Sequence, residues 1–240
     1  MRILDLSQPL GPRTARSSDH PQVEFPTLRW YSRDGMLTHK IIASLHSGTH
    51  VDAPALYFSS GKTIDQLSLD GFWGMGYVAD IGLGERGVIS GEHLDKVAGA
   101  HVKEGDILAM YTGFSSSFLD EERYVLKAPG LDKSGADWIV DHKLKAVWVD
   151  TPSAEHIFSR ARQWKVLRPD LFPDDLFDPA QFPGAYAHKV LLPAGIMMVE
   201  NVSEALGQLV GQRVMLMALP AKYEGVEGAP CRAVAVLDMD

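Results

Sequence analysis

Short apolar runs, each about the length of a buried strand, recur along this chain. They fall at residues 76–81, 106–111, 145–149, 196–199, 214–219 and 232–237. Stretches with helical spacing lie between them. Residues 134–142 bring Ala136, Ile139 and Val140 to one face. Residues 90–97 begin at Ser90, whose hydroxyl suits a helix N-terminus, and residues 202–210 sit between two strand-like runs. A hairpin is predicted for residues 27–32 and 36–45, which flank Arg33-Asp34-Gly35. Residues 11–26 are rich in Pro, Ser and Arg and read as an irregular loop. The alternation predicts an α/β fold with a mixed sheet core and flanking helices. Neither a linker nor a repeat divides the chain, so one domain over residues 1–240 is expected.

Residues 157–186 break this rhythm. They hold Trp164, Phe172, Phe177, Phe182 and several prolines with little periodicity. The aromatic content argues for packing, either as surface or intersubunit structure or as a lid over a site.

Charge and cysteine content narrow the function classes. With 23 basic and 31 acidic residues the net charge is −8, so the domain-wide basic footprint of a nucleic-acid binder is missing. A single cysteine, Cys231, allows neither an internal disulfide nor a thiolate zinc cluster. The first residues, MRILDLSQPLGPR, lack the apolar core of a signal peptide, and no run approaches a membrane span. A cytoplasmic protein with a small-molecule substrate, and neither nucleic acid nor membrane as partner, is expected.

The most informative residues are His46-Ser-Gly-Thr-His50-Val-Asp52-Ala-Pro54. Two imidazoles and a carboxylate within seven positions suit zinc, manganese or iron. A regular helix would bring His46 and His50 together but rotate Asp52 away by roughly 240°. Gly48 and Pro54 also disfavour a helix, so a strand end followed by a glycine-containing turn is expected, with all three side chains aimed inward. Further on, His188 precedes an apolar run and Glu200 ends one. Taken alone, Glu200 suits the start of the helix predicted over 202–210. With the earlier triad, His188 and Glu200 could complete a five-residue nitrogen and oxygen ligand set.

These residues resemble the HxGTHxDxP signature of the metal-dependent cyclase family, which includes bacterial kynurenine formamidases and isatin hydrolases. Asp5-Leu-Ser-Gln-Pro-Leu10, Gly61-Lys-Thr-Ile-Asp65, Tyr111-Thr-Gly113, Asp150-Thr-Pro-Ser153 and Glu227-Gly-Ala-Pro230 with Arg232 are similar to further elements of that family, and His188 and Glu200 keep its His-x11-Glu spacing. The resemblance implies a swivelling β/β/α fold and a homodimer or higher oligomer, such as a tetramer. It implies one metal on His46, His50 and Asp52, and in the formamidases a second on Asp52, His188 and Glu200. It implies hydrolysis of N-formyl or cyclic amides, with lactone hydrolysis or cyclisation as the alternative, or a metal-binding protein without catalysis. Two departures stand out. Leu56 occupies the place of the family's fourth histidine, and residues 157–186 are longer than the corresponding stretch.

A divalent metal, one or two ions of zinc or manganese, would acidify a bound water and polarise a carbonyl. The leaving group then needs a proton that Leu56 cannot supply. His156, just past the strand that ends at Asp150, is the expected donor, with Glu200 in that role if it is not a ligand. Leu56 is expected to line the cavity.

Overall fold

The computed structural model describes residues 1–17, 20–172 and 177–238, with the backbone alone for residues 161–163. Its core is an eight-stranded mixed sheet. The strand order is Arg2–Asp5, Gly228–Leu237, Arg213–Pro220, Trp73–Asp80, Ile107–Tyr111, Ala146–Val149, Met197–Glu200 and His50–Asp52. The four strands from Trp73–Asp80 to Met197–Glu200 run parallel, and the remaining pairings are antiparallel. The last strand also pairs with the start of Gly228–Leu237, through Ala229 opposite Val51, so the sheet closes on itself. Closure removes an exposed edge at the strand that carries His50 and Asp52.

Alternation along each strand divides the core in two. Ile107 and Ala109 face the inside of the closed sheet with Val51, Trp148, Val199 and Leu216. Leu108 and Met110 face outward with Val147 and Met198, against Ala136, Ile139 and Leu191 of helices Lys133–Asp141 and Tyr186–Leu191. Asp132 starts the first of these helices, its side chain accepting from Gly135 N at 2.9 Å. Ser90 caps Gly91–Leu94 by accepting from His93 N, as expected, and that helix runs on into a wider turn over Asp95–Gly99. Among the described residues no helix is long and apolar enough to cross a membrane.

Two expectations change. Residues 202–210 form no α-helix but a 3-10 turn over Glu204–Leu209. The hairpin has the short strands Thr27–Arg29 and Thr38–His39, continued by a bridge between Glu24 and Ile42 and joined by a helical turn, Tyr31–Asp34, that ends on Gly35 in the left-handed region. The long aromatic segment is packed, as its aromatic content implied. Ile157, Trp164 and Phe172 are buried with Phe114, Phe118 and Tyr124 in a third apolar cluster. Residues 173–176 of that segment lie outside the described residues.

Candidate metal centre

The site begins with the His50–Asp52 strand. Its period of two sends His50 and Asp52 to one face and Val51 to the other, where Val51 meets its cross-strand partner Val199 in the core. Glu200 is the direct partner of His50 and so joins the same face. The glycine turn precedes this strand rather than following it. Gly48 has φ 66°, and a side chain there would press on Leu10 Cδ1 at 3.1 Å, so the turn that swings His46 back over the strand requires glycine. Thr49 locks the turn by donating to Asn201 O at 2.6 Å and accepting from Gln8 N at 2.8 Å. His188 arrives from helix Tyr186–Leu191.

The five residues converge. His46 Nδ1 lies 2.8 Å from Asp52 Oδ1, and His188 Nε2 lies 3.2 Å from Asp52 Oδ2. His50 Nε2 is 3.3 Å from Asp52 Oδ1 and 3.6 Å from Glu200 Oε2. His188 Nε2 is 3.5 Å from Glu200 Oε1. Potential donor atoms of His46, His50 and Asp52 lie within 4.8 Å of one another, as do those of Asp52, His188 and Glu200, so Asp52 is common to both groups. His50, Asp52, His188 and Glu200 are all buried.

These donors fit a divalent cation. His50 Nδ1 donates to the Gly48 carbonyl at 2.8 Å, which leaves Nε2 with its lone pair toward the acids. That Nε2 is buried and makes no hydrogen bond among the described residues, the condition of a ligand atom rather than of a packed histidine. Protons meanwhile balance the acids. Burial pushes the His46 imidazolium down, but its bond to Asp52 and the nearby carboxylates outweigh this and raise its pKa to about 9. Burial likewise opposes charge on His188, and bonds to Asp52 and Glu155 overcome it and lift the pKa well above the usual range. Asp52 is held low, its burial outweighed by bonds from His188 and His46. Glu200 is raised by burial and by Asp52 beside it. A field that traps protons on two imidazoles is one a cation would also occupy.

A cavity of about 200 Å³ opens over the cluster, lined by His46, Asp52, His188 and Glu200 together with Leu56, Tyr57, His20 and Glu155. Leu56 thus stands where it was expected. The Tyr57 ring lies 5.2 Å from that of His188. Burial pushes the Tyr57 phenol up, so it keeps its proton.

His156 is not brought to this cavity. It is buried, its Nε2 donates to Arg86 O at 2.9 Å, and its Nδ1 accepts from Phe158 N at 3.2 Å. Its ring packs against Phe158 and Phe182, and burial lowers its pKa. A neutral imidazole with both nitrogens engaged by backbone has no proton to exchange with a substrate. Its neighbour Glu155 faces the cavity instead, and nothing in the sequence singled it out: a lone acid beside a histidine at a strand end carries no signature. Asn201, buried behind the cluster, accepts from Tyr124 Oη at 3.0 Å.

Comparison with known proteins places the chain in a family. The Cyclase family model matches residues 4–156. The chain is 27% identical to the kynurenine formamidase of Salinibacter ruber, over 98% of this chain and 97% of that one. It is 24% identical to the kynurenine formamidase of Bacillus cereus, over 96% and 95%. The fold is shared with isatin hydrolase A from Labrenzia aggregata, at a TM-score of 0.80 and 20% identity, covering 98% of this chain and 93% of that one.

Proposed function

The chain belongs to the Cyclase family, and on that premise we propose that it is a metal-dependent hydrolase that opens the amide C–N bond of a small substrate, an N-acyl compound of the formamide type or a cyclic amide. The observation that carries this reading is the convergence of three imidazoles and two carboxylates beside a cavity that His46, Asp52, His188 and Glu200 line, with His50 Nε2 buried, 3.3 Å from Asp52 Oδ1 and without a hydrogen bond among the described residues. His46, His50 and Asp52 would hold one divalent cation, and Asp52, His188 and Glu200 a second. A set of imidazole and carboxylate donors suits zinc or manganese. Such a cation supplies Lewis-acid polarisation of a carbonyl and an acidified water.

The protein's own groups do the rest. Asp52, whose carboxyl is held well below the usual range, and Glu200 line the cavity together. Glu200 is oriented by Ala154 N and Ser153 Oγ, which donate to its Oε1 at 2.8 and 3.1 Å. Tyr57 Oη retains its proton and can donate to the leaving nitrogen. Leu56 offers an apolar wall to the substrate's carbon skeleton. A second reading, lactone hydrolysis, draws on the absence of an imidazole at position 56 and of His156 from the cavity, since an alkoxide leaving group needs less protonation.

Turnover of a panel of aryl formamides, cyclic imides and lactones by the zinc- or manganese-loaded protein tests this reading. Hydrolysis of the amides is expected. Cleavage of lactones alone would favour the second reading, and a protein that binds no metal would overturn both. The exposed side chains of Leu28, Trp30, Tyr31 and Ile41 support assembly of two or more copies through the hairpin arm, and sedimentation of Trp30→Asp against the parent checks that assignment.

A further inference from the structure

We infer that Glu155 is a positioning residue of the candidate metal centre, fixing His188 so that its Nε2 is the ligand atom. The inference rests on the metal-binding reading above. Glu155 Oε1 lies 3.1 Å from His188 Nδ1 and also accepts from the His188 backbone N–H at 3.0 Å. One oxygen therefore sets both the ring and the first turn of a helix whose own N-cap, Ala185, provides no side-chain bond. With Nδ1–H held by Glu155, the imidazole presents Nε2 to Asp52 and Glu200.

The placement of Glu155 is built by close packing. A Cβ on Gly130 would come within 2.4 Å of the His156 backbone and 2.6 Å of the Glu155 carbonyl carbon, so this glycine lets residues 155 and 156 lie directly against the strand at 130–131. Glu155 N also donates to Ser153 Oγ at 3.2 Å, the same hydroxyl that donates to Glu200. The short segment from Ser153 to Glu155 thus orients two of the proposed ligands, Glu200 from its first residues and His188 from its last. The other oxygen, Oε2, is buried without a hydrogen-bond partner among the described residues, so within them the carboxylate is committed to His188.

Zinc titration against a chromophoric chelator tests the role, using the parent, Glu155→Ala, His188→Ala, the double variant and Glu155→Gln. Glu155→Ala should weaken the ion on Asp52, His188 and Glu200 by about 10–100-fold. It should add no further loss once His188 is gone, because it acts through that ring. Glu155→Gln keeps a carbonyl oxygen for both N–H groups and should lose less than the alanine variant. An alanine variant that titrates like a zinc-binding parent overturns the role of Glu155 alone, as does full additivity in the double variant. A parent that binds no zinc overturns the metal reading as well. If Glu155→Ala does not fold, nitrogen NMR of the zinc-loaded parent decides: Nδ1 of His188 protonated is expected, and Nε2 protonated overturns the inference.

Discussion

At the scale of single residues, protons and metal compete for the same atoms. In the metal-free protein the surrounding carboxylates keep His46 protonated up to about pH 9. A cation must displace that proton, so uptake releases acid, and affinity should rise with pH until about 9. Titration calorimetry in buffers of different ionisation enthalpy measures the protons released. Stability of the metal-free protein moves the other way. The His46 pKa is raised on folding from 6.5 to about 9, so its contribution is full below 6.5 and is lost as pH climbs to about 9. Denaturant midpoints with and without chelator should diverge across that window. Leu56 allows a second prediction. Leu56→His would place an imidazole in the cavity where a wall now stands, and a gain of about 10–100-fold in kcat toward amides is expected if proton supply limits them, with lactone turnover little changed. Equal kcat values in parent and variant would show that position 56 lies outside the proton path. The five ligand candidates were legible because they fall in two tight patterns, His46 to Asp52 and His188 to Glu200. His156 was attractive for its place just past the strand that ends at Asp150, but which of residues 155 and 156 faces the cavity depends on the direction of the chain past the strand end, which residue types do not encode.

At the scale of elements, strands were read well and short helical turns poorly. Leu108 and Met110 alternate with Ile107 and Ala109 between two apolar layers, which is why that strand appears in sequence as an unbroken hydrophobic run. Residues 202–210 bury Leu206 and Leu209, three positions apart, a spacing that a period of 3.0 aligns and one of 3.6 leaves only about 60° apart, so this pair does not separate the two helix types. Gly207 allows a close approach, since a Cβ there would lie 2.7 Å from the Tyr111 ring. The pairing of the strand at 130–131 with residues 155–156 carries the element-scale prediction. Gly130→Ala would force a methyl group onto backbone at 2.4 Å, which no rotamer change can relieve. A loss of at least about 1–3 kcal/mol in stability is expected. Zinc affinity should fall with it, because Glu155 moves with that backbone. Denaturant unfolding and metal titration on one variant check both, and unchanged affinity at reduced stability would separate the packing from the site.

At the scale of the whole molecule, the site depends on strand pairings far apart in the chain. His50 and Asp52 lie on a strand held between Met197–Glu200 on one side and Gly228–Pro230 on the other, segments about 150 and 180 positions away in the chain. Neither pairing can be read from local pattern, so the family signature reached the ligand candidates while the strand pairing that sets Glu200 beside His50 was seen only in the structure. This distance has a thermodynamic consequence. A cation held by His46, His50, Asp52, His188 and Glu200 binds the folded chain and finds no such set in the unfolded one, so it stabilises by mass action. At a free metal concentration about 100 times the dissociation constant, the gain is about 2.7 kcal/mol. For a chain of 240 residues each kcal/mol moves Tm by about 2–4 °C, so zinc or manganese should raise Tm by about 5–10 °C over the chelator-treated protein. Asp52→Asn removes a charge from the residue common to both ligand groups and should abolish most of that rise. His188→Ala touches one group and should remove only part of it. Differential scanning calorimetry of the three proteins, each with metal and with chelator, measures the shifts. Equal metal-induced rises in all three would mean that the cation binds elsewhere on the molecule.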